Sequence, residues 1–209
     1  MSTFNTTELW NPKDLEHAFS LVGGPNIQQH LEEAYWVAKR LSPLIENCYN
    51  VLEYGCGFGR ILVELRKTIQ DKLLIGCDFN QQMLHHGQHY SEGYDIQFVC
   101  SDGKNIPCID HGIDFLYTHA VMIHNDSTQI SDLFDEFKRV IKPKCKMYHD
   151  FLNGDCPSAR EESANALKNK FPLYCYPYDV IKFLSNKSGF NLITDPDPTS
   201  HRINYIFES

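Results

Sequence analysis

Val51-Leu52-Glu53-Tyr54-Gly55-Cys56-Gly57-Phe58-Gly59-Arg60 reads as a buried strand that ends on an acid and breaks into a glycine-rich turn opening a helix. Glycines at positions 55, 57 and 59 let the backbone turn tightly and let a ligand lie against peptide N–H groups with no Cβ in the way. Glu53 qualifies the kind of ligand. A carboxylate at the strand end repels phosphate and suits a ligand that offers an ammonium group and hydroxyls. That weakens the pyrophosphate reading common for such turns and favours an amino-acid-bearing nucleoside.

Working outward, the same pattern of an apolar strand ending on a polar residue recurs. Leu73-Leu74-Ile75-Gly76-Cys77-Asp78 is followed by Phe79-Asn80-Gln81-Gln82-Met83-Leu84, which reads as a turn into a helix. Ile96-Gln97-Phe98-Val99-Cys100-Ser101-Asp102-Gly103 and Ile113-Asp114-Phe115-Leu116-Tyr117-Thr118-His119 are the next two, and residues 133–143 read LFDEFKRVIKP. In order and spacing these stretches resemble the motifs of the class I S-adenosylmethionine-dependent methyltransferases: E-x-G-x-G-x-G, then D-x-S-x-x-M-L, then a third strand ending on an acid, then a fourth strand and L-x-E-x-x-R-V-L-K-P-G-G. Lys144-Cys145 stands where the last motif has its glycine pair, a helix C-terminal device.

The resemblance implies S-adenosyl-L-methionine as cofactor. Glu53, Gly55, Cys56, Gly57 and Gly59 would hold its methionine part and Asp78 its ribose hydroxyls. Asp102 with Gly103 would frame the adenine, and His119 would stand beside the transferring methyl. Phe79 and Met83 are candidates for the adenine face, Met83 being equally readable as core. Arg60 and Tyr35 are candidates for the methionine carboxylate.

The alternation of strand, helix and strand reads as an α/β, doubly wound, mostly parallel sheet. By resemblance it has seven strands, the last of them (Arg202–Phe207) antiparallel, with N-terminal helices over the cofactor cleft. Asn11-Pro12 would cap and open a helix through about Ser20, and Gly23-Gly24-Pro25 would break it. Ile27, Leu31, Ala34, Ala38 and Leu41 stripe a second helix up to Pro43. Residues 1–45 thus form a helical cap and 46–209 the methyltransferase core. An insertion at 152–177 holds a helix (158–170) and most of the aromatic run Phe171–Tyr178.

Two other readings compete. An NAD-dependent oxidoreductase is favoured by Asp78, about 20 residues past the glycines. Against it, the third glycine of that fingerprint falls on Arg60, and the rest of the chain is short for a separate substrate domain. A non-catalytic, methyltransferase-like partner subunit would be favoured by an exposed aromatic patch at 171–178.

At 209 residues, 42% hydrophobic and 22% charged, the chain can bury one core. A net charge of −8 argues against a phosphate-tracking surface, so nucleic acid is an unlikely partner and a small-molecule methyl acceptor is expected; a homodimer stays open. The eight cysteines include no C-x-x-C pair. Cys77, Cys100 and Cys145 fall in strands as small hydrophobes, and all eight read as reduced thiols of a cytoplasmic protein. No basic-then-apolar leader and no apolar run near 20 residues indicates secretion or a membrane.

Methyl transfer from a sulfonium needs a general base only when the acceptor is protonated at working pH. His119, His124 and His149 are the candidates, in that order, with pocket-wall roles as the alternative. His149 and Asp150, adjacent in a strand, face opposite ways and form no dyad. His85, His86 and His89 have no carboxylate or cysteine ligand near them in sequence, so no metal is expected.

Overall fold

The computed structural model describes residues 9–23, 26–194, 197 and 199–209. The described residues divide into two units. One takes those of Asn5–Cys108 with Ile113–Phe115; the other takes Ile109–Gly112 and those of Leu116–Ser209.

In the N-terminal unit β1 (Asn50–Tyr54), β2 (Leu73–Asp78) and β3 (Gln97–Cys100) run parallel, with Val51 opposite Leu74, Glu53 opposite Gly76 and Asp78 opposite Cys100. The order is β3-β2-β1, followed by β4 (Ile113–Tyr117). β1 and β2 are buried along nearly their whole length, as strands covered on both faces must be. β3 ends the row, so Gln97 and Cys100 reach solvent. Of the three strand cysteines expected inside, Cys77 is buried, Cys145 is half-buried and Cys100 is exposed on this edge strand; all eight thiols are free.

Helix α1 (Leu15–Gly23) opens at Asp14, whose carboxylate accepts the His17 N–H at 2.8 Å, and so starts later than an Asn11 cap would place it. Gly24 and Pro25, expected to break it, lie outside the described residues. Asn26 caps α2 (Ile27–Leu41), which buries His30, Ala34, Val37, Ala38 and Leu41 and leaves Ile27 exposed. The crossovers are α3 (Arg60–Thr68) and α4 (Gln81–Tyr90). Two buried cations tie the loops between them. Arg66 donates to the carbonyls of Ile69, Gln70, Lys72 and Asp95 at 2.7–3.2 Å, and Lys72 to those of Glu46 and Cys48 at 2.9 and 2.7 Å. Their solvation is thereby replaced by carbonyl oxygens that would otherwise be orphaned.

In the C-terminal unit α5 (Ser127–Val140) starts with a reciprocal Asp126–Gln129 capping box and leads into β5 (Ile141–Asn153). The start of β5 is held to the chain end: Lys144 N–H donates to the Ser209 carbonyl at 2.9 Å, and Ser209 donates to the Cys145 and Lys142 carbonyls at 3.0 and 2.8 Å, with Lys144 in the left-handed region (φ 62°), where the resembling motif has glycine. α6 (Pro157–Lys168), β6 (Cys175–Tyr176), α7 (Tyr178–Lys187), β7 (Asn191–Leu192) and β8 (Arg202–Glu208) follow. The order here is β4-β5-β8-β7, with β8 antiparallel to both neighbours and β6 added in parallel on β5. β6, two residues within the expected insertion, is the strand the seven-strand expectation lacked. The aromatic run is no exposed patch. Leu173 and Tyr176 are buried, Phe171 packs against Ile123, Leu152 and Ala159, and the Tyr176 hydroxyl donates to the Asn125 carbonyl at 2.7 Å. No helix of the described residues is long and apolar enough to cross a membrane.

Candidate cofactor site and histidine cluster

The glycine turn is wound down onto β2. Gly55, Gly57 and Gly59 sit at φ 73°, 55° and 77°, the left-handed region that a side chain resists. The Gly55 and Cys56 N–H groups both donate to the Cys77 carbonyl, at 2.7 and 3.1 Å, and Gly57 N–H donates to Asp78 Oδ2 at 2.8 Å. There is no room below: a Cβ on Gly59 would stand 2.8 Å from the Phe98 ring, and one on Gly76 2.9 Å from Cys56 Sγ. Two carboxylates flank this cradle, Glu53 at 2% exposure and Asp78 at 7%. Burial raises the Asp78 pKa, and the N–H groups of Asn80, Gly57 and Phe79 oppose that rise. A carboxylate offers about four acceptor positions, so Asp78 retains capacity for a ligand hydroxyl.

The adenine side is drawn together by Tyr54, whose hydroxyl donates to the Gly103 carbonyl at 3.0 Å. Gly103 (φ 86°) lies beside Phe79, since a Cβ there would be 3.7 Å from Phe79 Cβ. Asp102 is fixed by its own loop. Its carboxylate accepts the Lys104 and Asn105 N–H groups at 2.9 and 2.6 Å and the Asn105 side-chain amide at 2.6 Å. Those bonds hold its pKa down at about 2 and engage both oxygens in its own loop. Met83, 2% exposed, packs with Ala18, Phe19 and Phe58, which is a core position. Cys56 is buried, and burial raises its thiol pKa.

Arg60 stands apart from the turn. Its guanidinium donates to the His30 carbonyl at 2.8 Å and to Glu33 at 2.9 Å, fastening α2 to α3. Tyr35 is exposed and rests edge-on against Trp36. α1 is the helix that meets the turn. Phe19 lies 4.5 Å from Phe58 between ring centroids, and Val22 lies 3.5 Å from where a Gly57 Cβ would be. Asn80 was missed at the sequence level. Its N–H donates to Asp78 Oδ1 at 2.8 Å, its side-chain oxygen caps α4, and its side-chain amide donates to the Trp10 carbonyl at 2.9 Å.

The C-terminal unit gathers a second set of polar groups. Just past β4, Ala120 sits at φ 58°, a conformation unusual for alanine, and its N–H donates to Asp150 Oδ1 at 2.8 Å. Asp150 is fully buried, and its other oxygen binds Arg202 through Nε and Nη2. His119 Nδ1 stands 4.0 Å from the same oxygen. His124 places Nδ1 2.6 Å from the Pro172 carbonyl and its ring edge-on to Phe171; burial lowers its pKa. His149 points to the other face, among Phe134, Phe137 and Phe207, with Nδ1 2.9 Å from Thr118 Oγ1. Burial pushes its pKa down to about 3. His119 thus stands near a carboxylate side chain, His124 meets a backbone carbonyl and His149 a hydroxyl. Asp150 and Arg202 carry no sequence signal, being 52 residues apart. On α4, His85 and His89 pack edge to face at 4.7 Å, and no group of three metal-ligating side chains occurs among the described residues.

Residues 51–144 match the family described as methyltransferase domain. A demethylmenaquinone methyltransferase of Roseiflexus castenholzii is 31% identical over 96 residues, covering 46% of this chain and 40% of that protein. A malonyl-[acyl-carrier protein] O-methyltransferase of Marinomonas sp. is 32% identical over 94 residues, 44% of this chain and 34% of the other. The chain spans no more than 40% of the length of these two relatives. Among solved structures, magnesium protoporphyrin IX methyltransferase from Synechocystis PCC 6803 with bound SAH shares the fold, with a TM-score of 0.67 at 14% identity over 96% of this chain and 91% of that one. The matched segment contains the glycine turn, Asp78, Asp102 and His119: residues 51–144 of this chain are similar to a methyltransferase domain, and the fold is shared with a solved methyltransferase that holds SAH.

Proposed function

We propose that this chain transfers a methyl group from S-adenosylmethionine to an oxygen or nitrogen of a small-molecule acceptor. The observation that carries the reading is the Cβ-free cradle of three left-handed glycines between two buried carboxylates, Glu53 and Asp78. An ammonium group and ribose hydroxyls suit such a pair, whereas phosphates do not. When bound, the cofactor supplies a methyl already activated on a sulfonium.

The protein's part is to position and to exclude water. Glu53 and the turn Gly55–Gly59 hold the amino-acid end, Asp78 the ribose, and Phe79 with Gly103 the adenine. Asp102 with Gly103 frames the adenine, its carboxylate held by the Lys104 and Asn105 N–H groups and keeping acceptor capacity as Asp78 does. Met83 and Cys56 support the cradle from the core. His119, with Asp150 beside it, is the first candidate to accept a proton from a phenol or hydroxyl acceptor and His124 the second; His149 is a wall residue held neutral by burial. A net charge of −8 disfavours nucleic acid as acceptor, and eight free thiols fit a cytoplasmic setting.

Calorimetry with S-adenosylhomocysteine and with NAD tests the cofactor half: micromolar binding of the first and none of the second is expected, and the reverse overturns it. A mass-shift screen of phenols, amines and carboxylates, with demethylmenaquinone and malonyl-acyl-carrier protein as comparators from the relatives' names, tests the acceptor half. Single-turnover kinetics then rank the histidines. His119→Gln should slow methyl transfer by about 10²–10⁴ with cofactor affinity kept within a few-fold if it is the base. Variants at His119, His124 and His149 all within about threefold of the parent would reject histidine catalysis.

A further inference from the structure

We propose that Asn80 is a cofactor-positioning residue that latches the N-terminal strap Trp10–Gly23 to the carboxylate at Asp78; the proposal rests on the reading of Asp78 as a cofactor ligand. Three groups of one residue act in three directions. The Asn80 N–H donates to Asp78 Oδ1 at 2.8 Å. Its Oδ1 accepts the N–H groups of Gln82 and Met83 at 2.8 and 3.0 Å, capping α4. Its Nδ2 donates to the carbonyl oxygen of Trp10 at 2.9 Å.

The sequence departs from the resembling motif at this position. D-x-S-x-x-M-L has serine where this chain has Asn80. A serine oxygen caps a helix as well as an asparagine oxygen does. A hydroxyl, however, carries its one donor on the capping atom itself, whereas an amide has a separate NH₂ group. Asparagine can therefore cap α4 and hold a second chain segment at once, and it is 5% exposed, so both jobs are done out of water.

The segment held this way is anchored again at its far end. Pro12 is buried, Ala18 and Phe19 pack on Phe58 of the glycine turn, and Val22 lies beside Gly57. The strap thus runs from the residue that braces Asp78 to the residue that donates to Asp78. A ligand gripped by the turn and by Asp78 lies between those two anchors, and its entry and exit require the strap to lift. Asn80 couples that lifting to the geometry of the ribose carboxylate.

Asn80→Ser, the motif's own residue, removes only the amide donor and keeps the cap. Asn80→Asp does the same with an added charge. Hydrogen exchange on the ligand-free protein should show residues 10–23 exchanging about fivefold faster in both variants, the effect of one neutral hydrogen bond, with α4 unchanged. Dissociation of S-adenosylhomocysteine, followed by stopped-flow fluorescence, should speed up by a similar factor. Exchange at 10–23 within twofold of the parent, with α4 intact, overturns the latch whatever the ligand does. Faster exchange with unchanged dissociation overturns the coupling to the cofactor. If the parent binds no S-adenosylhomocysteine, the cofactor reading fails and takes the coupling with it, while the exchange data still decide whether Asn80 holds the strap.

Discussion

His149 is a buried base whose proton can be counted in solution. It is fully buried among Phe134, Phe137 and Phe207, and burial moves its pKa from 6.5 to about 3. The unfolded chain takes up a proton below pH 6.5 that the folded protein refuses until near pH 3, so stability is lost as pH falls through that window and is flat above it. With those two values the loss attributable to this residue is about 0.8 kcal/mol at pH 6 and about 2 kcal/mol at pH 5. His149→Phe keeps an aromatic ring in an aromatic box and cannot titrate. It also forfeits the Thr118 contact at 2.9 Å, an offset that does not vary over this pH range. Urea unfolding of parent and variant at pH 7.5, 6.0 and 5.0 isolates the difference, since the other nine histidines are common to both and most carboxylates titrate lower. The parent should lose about 2 kcal/mol more than the variant between pH 7.5 and 5.0. A difference below about 0.5 kcal/mol would mean that water or a proton reaches His149 in the folded state, and the neutral-wall assignment would fall with it.

Asp78→Asn keeps the side-chain shape and removes the charge; it should weaken S-adenosylhomocysteine binding by about ten- to a hundredfold in calorimetry with the fold retained, and unchanged affinity would show Asp78 misassigned. Gly76→Ala places a Cβ 2.9 Å from Cys56 Sγ and from Leu62 Cδ1, so urea unfolding should show a loss of about 1–3 kcal/mol, whereas a neutral effect would mean the turn is looser than it is drawn. Lys144→Gly relieves a left-handed lysine (φ 62°) and should gain about 0.5–1 kcal/mol after the added entropy of the unfolded glycine, measured the same way; destabilisation would point to a packing role for the lysine stem.

Much of the architecture is legible locally. Apolar runs at Val51 and Leu73 mark buried parallel strands, and β8 runs antiparallel from Arg202. The start of α1 was misplaced because two polar residues compete to cap it and only Asp14 has His17 three residues on in reach. The hold on Asp102 is local: an acid before Gly103-Lys104-Asn105 can fold its carboxylate onto the next N–H groups, as aspartates in turns do.

The sequence by itself determined the elements, their order and the glycine cradle, because strand periodicity, caps and backbone freedom are properties of neighbouring residues. Which charged groups meet was decided by the register of β5 on β8. Leu152 pairs with Arg202, so Asp150, two residues earlier on the same face, receives the guanidinium diagonally while also holding Ala120. Shifting that register by one residue would send Arg202 to the face of His149. Three histidines that look alike in the chain are thereby separated into one beside a carboxylate, one against a backbone carbonyl and one sealed among aromatic rings. Dielectric and charge neighbourhood depend on what is packed around a side chain, and only the folded chain supplies that surrounding.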